Sequence, residues 1–212
     1  PSDETKIAIL AILKAKYTDG TPGLFMAYQN GHNEAIKIVF GFLKEIYPTS
    51  SDEIKRQILE IVYAKDSDGT PGLFMAYQFG YNDVIKTAFS FLKEIVLTSS
   101  DEIKSLILDI VEAKHTEGVP GLLMAFQNEY NDVIQIVFDF LIKIKPQVSE
   151  KWEHRWWEIA SAKNEKGISG TQIAFQDKYF EVYGTQLNWP THPSTAMLET
   201  LLSLHTTSCN DK

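Results

Sequence analysis

The sequence predicts an all-α chain built as an α-solenoid, and three observations carry that reading. The stretch Asp68-Gly69-Thr70-Pro71-Gly72-Leu73-Phe74-Met75-Ala76-Tyr77-Gln78 recurs almost unchanged at 19–29, more loosely at 117–127 and as a worn copy at 166–176. Gly20, Gly69, Gly118 and Gly167 are each 49 residues apart, so four units follow one another without insertion or deletion. Inside each unit, apolar residues recur at helical spacing in three blocks divided by turn chemistry. A fixed period of this kind marks a stack in which each unit buries its apolar face on its neighbours. Residues 1–206 are expected to form one domain of units 2–50, 51–99, 100–148 and 149–193 with a cap at 194–206, and 207–212 a flexible tail.

The second unit shows the elements most clearly. Ser50 and Glu53 stand at capping-box spacing, and Ile54, Ile58, Leu59, Ile61 and Val62 then make one apolar stripe that predicts a helix up to Lys65. Asp66-Ser67-Asp68-Gly69 is a turn. Thr70 and Pro71 follow as the expected N-cap and first position of a short second helix ending near Gln78. Phe79-Gly80-Tyr81 breaks it. Asn82 is the expected cap of a third helix, whose broad apolar face runs from Val84 to Ile95.

Comparison of units within the chain separates framework from variation. Ala27, Ala76, Ala125 and Ala174 call for close helix approach, and the Met26/Met75/Met124 and Phe40/Phe89/Phe138 series read as core. Gln29, Gln78, Gln127 and Gln176 are expected to hydrogen-bond backbone of the neighbouring turn in every unit. The ends differ from the middle. Trp152, Trp156 and Trp157 hold the places of Ile54, Ile58 and Leu59, as a bulky end-of-stack core or a binding hot spot. Residues 194–205 read as a last helix that caps the array. In the first unit, residues 7–13 are apolar nearly all round, although Arg56, Gln57 and Glu60 hold three of those places in the second. Ile7, Ala8 and Ala11 therefore face either their own unit or something outside this chain: an upstream domain, a secretion chaperone or another copy.

Composition bounds the chemistry. The formal charge of −8, from 28 acids and 20 bases with no Lys/Arg stripe, argues against phosphate-driven nucleic-acid binding. Acidity gathers in residues 100–148, with eight acids against four bases, which suits a solvated face or a basic partner. No apolar run reaches the length of about 18 residues that a membrane span needs. Cys209 is the single cysteine, so neither an internal disulfide nor a cysteine metal cluster is available. His32, His115, His154, His192 and His205 are scattered, without the spacing that sets two imidazoles on one helical face. The Gly-Thr-Pro-Gly turns lack the Gly-Lys-Ser/Thr of a phosphate cradle. No metal, cofactor or catalytic activity is expected of this chain.

Asp19-Gly20-Thr21-Pro22-Gly23-Leu24-Phe25-Met26-Ala27-Tyr28-Gln29-Asn30-Gly31-His32 resembles the ankyrin repeat, with its Asp-Gly turn, Thr-Pro-Leu-His signal, alanine pair and Gly-His. It departs in the glycine after the proline, in an aromatic at the second alanine, and in a period of 49 instead of 33. The surplus houses the additional helix at 51–65. The chain is also similar to the ankyrin-like C-terminal regions of type III secreted effectors of enteric bacteria, the enterotoxin-like cysteine-protease group. That resemblance implies a non-catalytic recognition module for a host protein, delivered into the host-cell cytoplasm, with any catalytic domain upstream. None of that group's catalytic residues has a counterpart here. The alternative is a regulator in the bacterial cytoplasm that binds a secretion chaperone or transcription factor.

The ankyrin likeness further implies a partner surface on the turn tips and the exposed side of the short helices, where the units vary. Tip positions read Tyr17, Asp66, His115 and Asn164; short-helix ends read Asn30, Phe79, Asn128 and Asp177, with Tyr81 and Tyr130 beside them. Phe79 is either an aromatic anchor or a side chain tucked under the next unit.

Overall fold

Serines start the first helix of each of the first three units. Ser2 accepts the Thr5 N–H at 3.3 Å and opens α1 (Asp3–Leu13), and Ser51 accepts the Ile54 N–H at 3.4 Å and opens α4 (Asp52–Val62). Ser100 holds the same extended backbone ahead of α7 (Asp101–Glu112). The acidic pairs that follow, Asp3-Glu4, Asp52-Glu53 and Asp101-Glu102, occupy the positive ends of the helix dipoles. The cap lies one residue later than the sequence suggests. Ser50 is buried and donates its hydroxyl to the Ile46 carbonyl at 2.7 Å, so Glu53 stands at the second helical position and completes no capping box. The helix also stops at Val62, and Lys65 forms an isolated antiparallel bridge with Pro71, as Lys16 does with Pro22.

The computed structural model of the chain describes residues 2–145 and 150–170, and it is all-helical among them. The short helices are α2 (Gly23–Gln29), α5 (Gly72–Phe79) and α8 (Gly121–Gln127); the long ones are α3 (Asn33–Ile46), α6 (Asn82–Val96) and α9 (Asn131–Ile144). After α9 comes α10 (Glu150–Ser161), the first-helix counterpart of the fourth unit. Pro22, Pro71 and Pro120 are the N-caps of the short helices rather than their first residues, and Thr70 lies buried before its proline. Asn82 likewise sits inside α6 as its first residue. Its amide donates to Asp132 in the next unit at 3.1 Å instead of capping its own helix.

Each helix packs on its counterpart 49 residues away. The contacts run α1–α4–α7–α10, α2–α5–α8 and α3–α6–α9, which makes layers of three helices laid one on another. Burial follows: Ile58, Leu59, Tyr77, Ile85, Leu92, Ile107, Leu123 and Val137 are among the fully enclosed side chains of the inner layers. Of the tryptophans, Trp156 is fully buried and donates its indole N–H to the Leu141 carbonyl at 2.9 Å, and Trp157 meets it edge-on at 4.8 Å. The side chain of Trp152, the predicted cap at 194–206 and Cys209 lie outside the described residues.

Charges cross the joints at one sequence separation, 46 residues. Lys14 meets Glu60 at 2.7 Å, Arg56 meets Glu102 at 2.6 Å, and Arg155 meets Asp109 at 2.6 Å with the sign reversed. Arg155 also reaches the buried Glu112 at 2.8 Å. Partial burial works against its charge, and hydrogen bonds and Coulombic attraction from Asp109 and Glu112 outweigh that. Lys6 is buried in the first layer, where its ammonium donates to the Thr49 carbonyl at 2.7 Å and to Asp3 at 3.1 Å.

Candidate protein-interaction surface

The four turn tips share one backbone frame. The first residue of each, Tyr17, Asp66, His115 or Asn164, has its N–H on the carbonyl of the residue four later, and the glycine three later returns its N–H to the tip carbonyl. Gly20, Gly69, Gly118 and Gly167 take φ of 87°, 87°, 78° and 81°, the left-handed region where glycine is free of strain. The tip side chains of three units hold this frame. Asp66 accepts the N–H groups of Asp68 at 3.0 Å and Thr70 at 2.8 Å, Asn164 accepts that of Ile168 at 3.0 Å, and His115 accepts that of Glu117 at 3.1 Å while its ring lies 5.0 Å from Phe74. Tyr17 makes no such bond, because Asp19 accepts the Thr21 N–H at 2.9 Å in its place, and the phenol ring stands 64% exposed.

A prediction follows from that division of labour. Asp66→Ala is expected to cost about 1 kcal/mol of stability, since two turn N–H groups lose their acceptor. Tyr17→Ala should leave the urea midpoint within about 0.5 kcal/mol of the parent.

The short-helix ends divide the same way. Asn30 donates its amide to the Met26 carbonyl at 2.8 Å, and Asn128 donates to the Met124 carbonyl at 3.0 Å, each closing the last turn of its helix. Gln29, Gln78 and Gln127 make no side-chain hydrogen bond among the described residues, so the predicted glutamine ladder is replaced by an asparagine one. Asparagine, one methylene shorter and one residue further on, reaches the carbonyl four residues back. Phe79 interrupts it. All three short helices run into a left-handed residue, Gly31, Gly80 or Glu129, with φ of 67°, 66° and 61°, so at Phe79 the turn closes on backbone alone.

Phe79 thus has no counterpart to the asparagine bond of the first and third layers. It is 46% exposed, and its ring lies 5.8 Å from Tyr81 at an interplanar angle of 37°. Tyr81 is half-buried and lies flat on Gly31 of the first layer, and Tyr130 lies on Gly80. Tyr81 therefore wedges the second layer on the first and Tyr130 the third on the second, with the Phe79 ring beside Tyr81. Beside the tips, a cleft of about 540 Å³ opens between the first two layers. Two of its lysines are engaged: Lys14 pairs with Glu60, and the Lys65 ammonium lies 4.2 Å over the Tyr63 ring.

The first helix forms a separate surface. Ile7 is 47% exposed, Ala8 and Ala11 are exposed, and Lys6 and Leu10 are the residues of this helix that turn fully inward. Ile12, at 73%, and Ile38 on α3, at 74%, are exposed as well and were not legible as such. Ile12 shares its register with the core residues Ile61 and Ile110, which hides it in any comparison of units. Among the described residues, no helix is long and apolar enough to cross a membrane. Set against protein-family models, curated proteins and solved structures, the chain matches none of them.

Proposed function

We propose that the chain is a protein–protein recognition module, an α-solenoid of ankyrin-like repeats whose tip and short-helix side binds a partner protein. The observation that carries this reading is Phe79, a large aromatic kept half-exposed where the same position in the first and third layers holds a cap-forming asparagine. Support comes from its placement. The ring rests on Tyr81, which is wedged between layers, so little side-chain freedom is lost on binding and affinity can come from a few desolvated rings. The sequence likeness to secreted effectors makes a host protein the partner and the host-cell cytoplasm the place of action.

Phe79→Ala is expected to weaken partner binding by about 2 kcal/mol and folding by under about 1 kcal/mol. Affinity capture from human cell lysate with the parent chain and with the Tyr17→Ala/Phe79→Ala double variant, after both show the same melt, tests it. A protein retained by the first bait and lost from the second supports the reading. Equal retention by both baits, or retention by neither, removes it and leaves a bacterial partner to be sought.

A further inference from the structure

One joint recurs between layers. Tyr28 covers Gly72, Tyr77 covers Gly121 and Phe126 covers Gly170. A Cβ on Gly72 would lie 2.6 Å from the Tyr28 ring, and Cβ atoms on Gly121 and Gly170 would run into Tyr77 and Phe126. Neither Gly72 nor Gly121 has a positive φ, so it is the incoming ring, and not the backbone, that requires glycine there. The Tyr28 hydroxyl then donates to the Val62 carbonyl at 3.1 Å, and the Tyr77 hydroxyl to the Val111 carbonyl at 2.9 Å. Both carbonyls end the last turn of a first helix, where the helix has no N–H to offer them.

The first layer carries the receiving half of this joint. Gly23 holds the place of Gly72 and Gly121, and a Cβ there would meet nothing within 4 Å. Leu13 holds the place of Val62 and Val111 at the end of α1. Around this open slot, Ile12 is 73% exposed where Ile61, Ile110 and Ile159 are 4% or less. Ala15 and Ala35 are exposed where Ala64 and Val84 are buried. What distinguishes the first layer from the second and third is the lack of a layer before it.

We propose that this side of the first layer is a stacking face, covered by one more three-helix layer of the same polypeptide ahead of Pro1, whose short helix sets a tyrosine ring on Gly23. The register argues for the same polypeptide. Rings, serine caps and the Asp–Lys pairs of the first helices (Lys6–Asp3, Lys55–Asp52, Lys104–Asp101) repeat every 49 residues, and Ser2 caps α1 in the way that Ser51 caps α4 on emerging from the turn of the layer before. A layer entering in that register needs no new geometry, and its tether keeps it at high effective concentration. This inference concerns a different face from the recognition reading and does not depend on it.

The test compares the 212-residue chain with one extended upstream in its own reading frame by roughly sixty residues, enough for one further layer. Backbone hydrogen exchange across α1 should slow at least about tenfold in the extended chain. Gly23→Ala should leave the melting of the 212-residue chain unchanged or raise it by about 2 °C, because alanine is the better helix residue and has room. The same substitution should lower the melting of the extended chain by about 5 °C, because it would then meet a ring. Three results overturn the proposal. In the first, exchange across α1 is unaltered and Gly23→Ala behaves alike in both chains. In the second, the 212-residue chain sediments as a dimer with α1 already protected, which assigns the face to a second copy. The third is a reading frame that opens at the codon before Pro1.

Discussion

Replacing Tyr77 with alanine is expected to lower the stability of the chain by about 4 kcal/mol, the range of a large buried aromatic truncated in a core that relaxes incompletely. The ring is fully enclosed, meets Phe89 edge-on at 6.4 Å and fills the notch above Gly121. Its hydroxyl is the partner of the Val111 carbonyl, so truncation also leaves an acceptor without its donor. Burial pushes the phenols of Tyr77 and Tyr28 well above their ordinary range, and both stay neutral donors across accessible pH. Tyr77→Phe separates the two contributions and should cost about 1 kcal/mol, since Phe126 fills the same place in the third layer without a hydroxyl. Urea denaturation reads both. In the alanine variant the single transition should broaden or split, because the ring couples the second layer to the third.

The second large effect is expected at Arg155. Its guanidinium is the counterion of Glu112, whose carboxylate is 6% exposed, and Arg155→Met would leave that charge enclosed without a partner. The cost should be about 3 kcal/mol. In the double variant Arg155→Met/Glu112→Leu most of the loss should return, because no uncompensated charge remains. A double-mutant cycle in urea distinguishes this from lost packing, which the second substitution would not restore. The corresponding joint between the first two layers, Lys14 with Glu60, has side chains 34% and 66% exposed, and its removal should change stability by less than about 1 kcal/mol.

The repeat register, the all-helical class and the order of elements were legible because they depend on patterns that the sequence states four times. Caps were legible only to within one residue. Ser50 and Ser51 are both competent, and the choice falls to Ser51 because the Tyr47–Thr49 turn brings the Ser50 hydroxyl back onto the Ile46 carbonyl. The candidate surface was legible as variable positions but not as free ones. Asp66 and His115 vary in identity yet do the same work, since any side-chain acceptor of suitable reach can hold a turn N–H. Gly23 was visible in the sequence as a departure from the ankyrin pattern, while its meaning needed the ring that each layer lays on the next.

The regular joints also set how the chain must come together. Apart from Trp156 to Leu141 at the last joint, the described hydrogen bonds that link one layer to the next join residues 34 to 54 positions apart, as in Tyr28 to Val62, Lys44 to Glu94, Tyr47 to Ser99 and Asn33 to Thr87. The entropy of closing these loops is therefore the same at every joint and does not grow as layers are added. Nucleation can begin at any neighbouring pair and spread outward, so the search time is set by one pair instead of by the whole chain. Tension applied at Asp3 would work backwards through the same sequence of events, peeling the first layer before the second and freeing about 170 Å of contour at each step.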